Sequence, residues 1–165
     1  MALPASRIES SGGIQIVIDS PSRSDVLVLL EQHLAEMRAT SPPESVHALD
    51  PTALGASNIT FFTAREDGIL LGCGALSALG GSEGEVKSMR TTPLARGRGV
   101  ATLLLGRILD EARTRGYRAV SLETGVEEYF CAARSLYARF KFTECAPFAS
   151  YTDDPNSLYF RIELG

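Results

Sequence analysis

The pattern of hydrophobic and polar positions predicts that the chain opens with a strand followed by a helix. Residues 14–18 alternate in polarity, as expected of a half-buried strand. Apolar residues then recur at helical spacing, which predicts an amphipathic helix. Its apolar positions are Val26, Leu29, Leu30, Leu34 and Met37. Ser20, Ser22 and Ser24 are candidate N-caps, and His33 lies on the apolar stripe, where we expect a buried structural residue.

A polar connector separates this helix from the next strands. Pro42 and Pro43 open the connector and end the helix, because neither can continue its hydrogen bonding. Residues 58–65 and 69–79 then read as two strands. The Glu-Asp-Gly segment between them is a turn signal, so the two strands are expected to form an antiparallel hairpin.

The organisation changes after a third strand. Gly80, Gly81 and Gly84 predict a flexible loop, and residues 85–91 complete an antiparallel meander. A helix begins near the next glycine-rich turn. Its apolar positions are Val100, Leu103, Leu104, Ile108 and Ala112. Residues 118–123 predict a strand parallel to residues 85–91, because a helix connects the two as a right-handed βαβ unit.

The C-terminal part predicts one more helix and a closing pair of strands. The helix is expected over residues 128–140, and the antiparallel strands over residues 142–148 and 158–164, around a polar loop at residues 150–157. Residues 1–13, rich in Ser, Ala and Gly, are expected to be a loose tail. The remainder, residues 14 to 165, is expected to fold as a single domain.

Composition and charge exclude several functional classes. The 165 residues include 16 Lys and Arg against 20 Asp and Glu, a net charge of −4, so no general nucleic-acid binder is expected. No apolar run approaches ~18 residues and no signal peptide is evident, so we expect no membrane span. Cys73, Cys131 and Cys145 are widely spaced, which indicates neither a disulfide framework nor a metal site and favours a cytoplasmic location.

Residues 89–101 carry the clearest chemical signal, M-R-T-T-P-L-A-R-G-R-G-V-A. A strand ends at Pro93, and a basic glycine turn leads into a helix. The free N–H groups of a first helical turn bind anions, and glycines let backbone approach the ligand closely. Arg96 and Arg98 can add charge-assisted hydrogen bonds. The segment therefore predicts a pyrophosphate site.

Arg96 to Ala101 resembles the Q/R-x-x-G-x-G/A signature of the GNAT superfamily of N-acetyltransferases, which use acetyl-CoA. A second family pattern, A-x-x-L-Y-x-x-x-G-F, is matched at Ala133, Leu136, Tyr137 and Phe142. The resemblance extends over roughly residues 58 to 142. It implies the α/β (α+β) GNAT fold: a mixed, mostly antiparallel sheet of six to seven strands, with a central parallel pair splayed at the cofactor site and helices on both faces.

The resemblance also implies how acetyl-CoA is held. The turn N–H groups bind the pyrophosphate, and the edge of the third meander strand pairs with the pantetheine arm like an added strand. The implied cofactor-binding residues are Met89, Arg90, Thr91, Arg96, Gly97, Arg98, Gly99, Val100, Ala101, Phe130 and Ala133. The acetyl group then passes to a primary amine by direct transfer in a ternary complex.

Two residues are the implied proton-transfer groups. Tyr137 is the acid that protonates the leaving thiolate, and Glu85 is the base, since its register resembles that of the catalytic glutamate in the histone acetyltransferase branch. Glu123 and a water chain are the alternatives to Glu85. The sequence departs from the family at Phe130, where asparagine is frequent, and at Lys141, where glycine is usual and the turn must use a non-glycine backbone.

Two polar loops supply candidate acceptor contacts. They are Glu44 and His47 in the connector, and Tyr151 and Asp153 near the C-terminus. The loops suggest an enclosed pocket and therefore a small-molecule amine. Protein or peptide N-acetylation and a catalytically silent coenzyme A-binding module are the alternatives. The oligomeric state is left open, with a homodimer as one possibility because dimers are common in proteins that look like this. The absence of a P-loop and of G-x-G-x-x-G after the first strand argues against nucleotide-hydrolysing and dinucleotide enzymes.

Overall fold

One mixed sheet of seven strands organises the computed structural model, which describes residues 13–165. The strands are β1 (Gln15–Ile18), β2 (Ile59–Glu66), β3 (Ile69–Gly80), β4 (Glu83–Thr91), β5 (Ala119–Gly125), β6 (Thr143–Cys145) and β7 (Ser157–Glu163). The helices are α1 (Ser24–Thr40), α2 (Pro51–Leu54), α3 (Val100–Thr114) and α4 (Cys131–Arg139). Apart from Gly13, the predicted N-terminal tail lies outside the described residues.

The sheet has the order β1-β2-β3-β4-β5-β7-β6, and every neighbouring pair is antiparallel except β4 and β5. The parallel pair is short, because it pairs Glu83 to Glu85 with Ala119 to Ser121 and then stops. Both strands continue beyond that point without pairing to each other. The predicted fold class, including the splayed parallel pair, is confirmed.

Adjacent residues of the central strands face two separate cores, because side chains alternate along a strand. Phe61 packs with α1 and α2, whereas its neighbour Phe62 packs with α3 and α4. Helices therefore cover both faces of the sheet, as predicted. The buried stripe of α3 is wider than predicted, since Leu105 and Leu109 are buried while Leu103 is half-buried. Burying each leucine stabilises the fold by about 1.5–3 kcal/mol.

Glycines in β3 and β4 allow close packing around α3. A Cβ at Gly72 would stand 2.7 Å from the Arg90 carbonyl oxygen, and one at Gly74 would stand 2.6 Å from Met89 Sδ. Gly84 was predicted to belong to a flexible loop, but it lies in β4 opposite Val120. A Cβ there would stand 2.9 Å from Tyr117 Cε2, so the glycine is required by packing against this ring.

Several helices begin at residues other than those predicted, because other residues occupy their N-terminal positions. Arg23 is the N-cap of α1, so none of the three predicted serines takes that position. Instead, the Asp25 carboxylate in the first turn forms a 2.7 Å ion pair with the Arg65 guanidinium on β2. The short α2 was not predicted; the Asp50 carboxylate caps it by accepting from the Ala53 N–H at 2.7 Å. The last helix begins at Cys131, after a 3₁₀ turn over Glu128–Phe130.

A bulge interrupts β4 near the middle of the sheet. Cys73 pairs with Arg90 and Ala75 with Lys87, so β4 carries one residue more than β3 in this interval. Ser88 lies in the bulge with φ of +56°, a left-handed conformation that is uncommon for residues other than glycine. Within residues 13–165, none of the helices has the length and apolarity needed to span a bilayer.

Candidate active site

A cleft of about 720 Å³ opens where α3 begins, beside the splayed ends of β4 and β5. Every predicted cofactor residue except Arg98 lines this cleft. They are Met89, Arg90, Thr91, Arg96, Gly97, Gly99, Val100, Ala101, Phe130 and Ala133. Tyr137, the predicted acid, lines it as well. The fold therefore brings the strand end, the glycine turn and α4 to one concave surface.

Two left-handed glycines leave the first turn of α3 uncovered. Gly97 and Gly99 have φ of +79° and +80°, which glycine adopts at little cost. Gly99 is the N-cap, and no side chain caps the helix. Among residues 13–165, apart from the chain neighbours, no atom lies within 4 Å of the point where a Cβ would stand on either glycine. The N–H groups of the first turn, which have no acceptor inside the helix, are thus free to bind an anion at the cleft.

The three arginines near this turn have different environments. Arg96 lines the cleft. Arg98 was predicted to contact the pyrophosphate, but its Nη2 donates to Glu66 Oε2 on β2 at 2.7 Å and it does not line the cleft. Arg90 is buried, and its guanidinium donates to Tyr129 Oη and Glu36 Oε1, both at 2.8 Å. Arg90 therefore joins β4 to α1 and to the segment that follows β5.

A second cavity of about 90 Å³ adjoins the cleft and shares part of its wall. The shared residues are His33, Met89, Phe130, Ala133 and Tyr137. The predicted base Glu85 lines this second cavity, together with Glu123 and the predicted acceptor contacts His47 and Tyr151. The other two predicted contacts, Glu44 and Asp153, are exposed and are not among its lining residues.

Glu85 lies in a tight polar cluster. Its Oε2 accepts from Tyr151 Oη at 2.5 Å and from Lys87 Nζ at 3.1 Å, and Lys87 Nζ lies 3.0 Å from Tyr151 Oη. Glu85 is buried. Burial, followed by the neighbouring Glu85 charge, raises the pKa of the Tyr151 hydroxyl, so Tyr151 stays protonated. The cluster therefore holds one carboxylate beside one ammonium and one phenol.

Glu123 is the second carboxylate of the small cavity. It accepts one hydrogen bond, from Ser157 Oγ at 2.8 Å. Burial raises the pKa of Glu123 to about 7, so its carboxyl group can exchange a proton near neutral pH. Burial, then the Glu123 charge, also raises the pKa of Tyr137, which keeps its phenolic proton at neutral pH.

The C-terminus of α4 fixes the position of Tyr137. The Phe142 N–H donates to the Tyr137 carbonyl at 3.1 Å and the Lys141 N–H to the Ala138 carbonyl at 3.0 Å, which together form a Schellman motif. A turn with a non-glycine backbone was predicted here, but Lys141 has φ of +73°, the left-handed conformation that favours glycine. The Tyr137 and Phe142 rings pack edge to face with centroids 5.8 Å apart.

The two predicted polar loops meet across the small cavity. The His47 and Tyr151 rings pack edge to face with centroids 5.1 Å apart. Asn156 Nδ2 donates to Ser45 Oγ at 3.3 Å. Contacts between the connector and the C-terminal loop therefore hold these two loops together beside the cavity.

His33 and Ser88 also line the small cavity, although no local residue pattern marks either one as a site residue. His33 has the periodicity of an ordinary core residue, and it is buried as expected, but it lies in the wall that both cavities share. Ser88 reaches the cavity because of the bulge. A bulge depends on pairing between strands, and no local residue pattern marks it.

These features fit acetyl-CoA. An uncapped helix N-terminus beside Arg96 suits a pyrophosphate, and the unpaired edges of β4 and β5 suit a peptide-like arm that needs backbone partners. Gly97 and Gly99 line the cleft with backbone alone. The cleft therefore has the donors and the space that this cofactor requires.

Comparison with known proteins agrees with the geometry. A family model described as "Acetyltransferase (GNAT) family" matches residues 27–142. The uncharacterized N-acetyltransferase YsnE of Bacillus subtilis is 45% identical over 151 residues, which cover 92% of this chain and 100% of that protein. The IAA acetyltransferase of Azospirillum brasilense is 40% identical over 92% of this chain and 98% of its own.

A solved structure supports the same assignment. A protein from Klebsiella pneumoniae, described as an acyl-CoA N-acyltransferase, superposes with a TM-score of 0.76 at 25% identity, over 92% of this chain and 98% of that one. The family model covers most of the sheet, the glycine turn and the helix that carries Tyr137. The chain therefore belongs to the GNAT family of N-acetyltransferases, which take their acetyl group from acetyl-CoA.

Proposed function

We propose that this enzyme transfers the acetyl group of acetyl-CoA to the primary amine of a small molecule, by direct transfer in a ternary complex. The observation that carries the proposal is the shared wall between the cofactor cleft and the small cavity, which includes Tyr137. A cofactor in the cleft and an amine in the cavity would meet at this wall. Two sites with a common wall need no covalent enzyme intermediate to connect them.

The small volume of the cavity favours a small acceptor. The cavity has a volume of about 90 Å³ and is covered by the paired loops at His47 and Tyr151. A peptide acceptor would need a groove that remains open at both ends. The relative named IAA acetyltransferase also points to a small molecule, at 40% identity over nearly its whole length.

Residues of the cleft would hold the cofactor, which supplies an acetyl group activated as a thioester. We assign the pyrophosphate to Arg96 and to the N–H groups that follow Gly99. Arg98 adds only long-range positive charge in this assignment, because Glu66 already binds its guanidinium. Backbone groups of Met89 and Thr91 on the unpaired edge of β4 would align the arm and polarise the carbonyl that it carries.

Proton transfer is assigned to side chains of the shared cavity. Glu85 Oε2 would accept the amine proton, with Lys87 and Tyr151 orienting the carboxylate. Tyr137 Oη, which is protonated and buried in the common wall, would donate a proton to the leaving sulfur. Glu123 is a second candidate for the base, because its carboxylate has a single hydrogen-bond partner.

An acetyl-CoA consumption screen over small amines, amino acids and peptides tests the proposal. We expect turnover with a small amine and a fall in kcat of about 100-fold or more in Tyr137→Phe, as is typical for loss of a general acid. Glu85→Gln and Glu123→Gln, compared side by side, show which carboxylate sets the pH dependence of kcat/KM. Arg113→Ala, in an exposed pair with Asp110, serves as the matched control.

Each alternative gives a distinct result in the same screen. Consumption only with peptides would favour protein or peptide acetylation. Tight coenzyme A binding with no consumption on any acceptor would favour a silent binding module. Unchanged turnover in Tyr137→Phe would remove Tyr137 from the mechanism. The homodimer and the cytoplasmic location stay predictions, to be tested by light scattering and by cell fractionation.

A further inference from the structure

Buried polar atoms without partners concentrate around the two cavities. Among the described residues, four buried side-chain nitrogen or oxygen atoms have no hydrogen-bond partner: His33 Nδ1, Ser88 Oγ, Arg90 Nε and Glu127 Oε2. Three of these residues line the cleft or the cavity. Nearly all buried polar groups in proteins are hydrogen-bonded, because an unpaired one costs about 1–3 kcal/mol. Unpaired atoms in a binding site are therefore candidates for a hydrogen bond to a ligand.

His33 and Ser88 are the two that reach the acceptor cavity. His33 comes from α1 and is nine-tenths buried in the wall common to both cavities. Ser88 comes from the β4 bulge, where a left-handed backbone places the residue in the wall of the same cavity. Neither residue is explained by the proton transfers above. An imidazole and a hydroxyl on one cavity wall can each donate or accept a hydrogen bond.

The charges of the wall indicate a neutral ligand group. The two cations near the cavity already have anionic partners, since Lys87 pairs with Glu85 and Arg90 with Glu36. Glu123 adds a carboxyl group without a cationic partner. Burial, then the Arg90 charge, lowers the pKa of His33 to about 4, so the imidazole is neutral at physiological pH. Among the described residues of this wall, a carboxylate on the acceptor would find no unpaired cation.

We propose that His33 and Ser88 form a hydrogen-bonding subsite that recognises a neutral polar group, a hydroxyl or a carboxamide, on the amine acceptor. This inference rests on the proposed function, which supplies the amine. It makes both residues determinants of acceptor specificity. They bind a part of the acceptor that does not react, so their contribution belongs to acceptor binding and not to the cofactor.

A matched series of amines tests the subsite. Ethanolamine, glycinamide, propylamine and glycine differ chiefly in the group opposite the amine, as do 3-aminopropanol, β-alaninamide, butylamine and β-alanine. We expect kcat/KM for the hydroxyl or carboxamide members to exceed that of the methyl and carboxylate members by about tenfold or more, because an unpaired polar wall disfavours the methyl group. Calorimetric binding of the same amines to the coenzyme A-saturated protein should follow the same order.

Three variants and a control make the test specific. His33→Phe and Ser88→Gly should each reduce the preference to less than about threefold. Ser88→Gly, at a residue that lines the small cavity and not the cleft, should leave KM for acetyl-CoA unchanged. His33→Asn retains hydrogen-bonding atoms and should restore part of the preference. Ser88→Gly also relieves the left-handed backbone, so its thermal stability should not fall while the preference does. Gln32→Ala, exposed on the same helix, should change neither property.

The outcomes separate this inference from the proposed function. If wild-type enzyme acetylates all members of a series equally well, or if His33→Phe chiefly raises KM for acetyl-CoA, the subsite is wrong and the acetyltransferase proposal stands. If the binding preference is present in wild type and lost in the variants without any acetyl transfer, the subsite stands and the proposed function fails. If wild-type protein binds none of the amines, both are wrong.

Discussion

The cofactor cleft and the acceptor cavity are adjacent, but they are built in different ways. About half of the residues that line the cleft come from one continuous stretch, Met89 to Thr102, whose chemistry is that of backbone N–H groups, glycines and an unpaired strand edge. The cavity takes side chains from several separate elements, namely α1, the connector, β4, β5, α4 and the C-terminal loop. The two sites share a wall, yet one is encoded locally and the other by tertiary packing.

This difference also separates the two regions energetically. Backbone groups at a helix start are fixed by the conformation of a few glycines, and their charge does not change with pH. The chemistry of the cavity instead depends on buried titratable side chains, whose protonation is set by burial and by neighbouring charges. Variants in the cavity should therefore change pH behaviour, and variants in the cleft should change cofactor affinity.

The largest expected effect concerns the pH dependence of folding stability. Glu123 has a folded pKa of about 7 against 4.5 as its ordinary value, so the stability from its protonated form is lost as pH rises from about 4.5 to 7. His33 has a folded pKa of about 4 against 6.5, so its stability is lost as pH falls from about 6.5 to 4. Each shift corresponds to about 3 kcal/mol, and the two oppose each other in wild type.

Urea unfolding between pH 4.5 and 7.5 should therefore give opposite slopes for two variants, measured as differences from wild type. Glu123→Gln removes the opposing contribution of Glu123 and leaves that of His33. The free energy of unfolding should then fall more steeply on acidification than in wild type. His33→Asn should leave the Glu123 effect uncovered, so that free energy falls as pH rises. Arg96→Ala, a change in the cleft, should parallel wild type. Parallel profiles for all three variants would contradict the environments assigned to both groups.

The second effect concerns the glycine turn. Gly99→Val should weaken coenzyme A binding by roughly tenfold to a hundredfold, because a β-branched residue is strongly disfavoured at φ of +80° and the turn must rearrange. Calorimetry measures the change. Gly106→Ala in the middle of α3 is the matched control: no atom lies within 4 Å of the new Cβ, and helix propensity favours the alanine. Equal loss in both variants would point to general disruption of α3.

The sequence predicted the fold and the cleft well because both depend on local patterns. Gly97 and Gly99 before an apolar helix are visible in the sequence, and so is the hairpin turn at Glu66 to Gly68. The cavity was predicted less completely. Glu44 and Asp153 were chosen from loops whose paths depend on distant contacts, such as the one between Ser45 and Asn156.

The remaining misses have similar physical reasons. The Ser88 bulge follows from the register between β3 and β4, which no single segment determines. Arg98 and Arg96 look equivalent in the turn, and a carboxylate 32 residues earlier, Glu66, distinguishes them. Gly84 resembled a loop residue because its packing partner Tyr117 lies on a different element. Long-range pairing therefore decided each case.

A smaller effect is expected at the end of α4, which positions Tyr137 in the shared wall. Lys141→Gly should stabilise the fold by about 0.5–1 kcal/mol, because Lys141 occupies the left-handed position of the Schellman motif that favours glycine. Thermal unfolding measures this gain. Lys141→Ala removes the same charge and keeps the strain, so it should give no comparable gain. A stabilisation of equal size in both variants would assign the effect to charge.

The smallest effect should come from the ion pair beside the cleft, and it bears directly on the contrast between backbone and side-chain recognition. Arg98 and Glu66 are both partly exposed, and such pairs contribute only about 0–1 kcal/mol. Glu66→Gln releases the guanidinium, so coenzyme A affinity should rise, by less than about threefold, and the gain should vanish at high salt. Arg98→Ala should lower affinity by a similarly small factor. A loss of tenfold or more in Arg98→Ala would mean that this arginine leaves Glu66 and binds phosphate directly, and that side chains, and not backbone N–H groups alone, hold the cofactor.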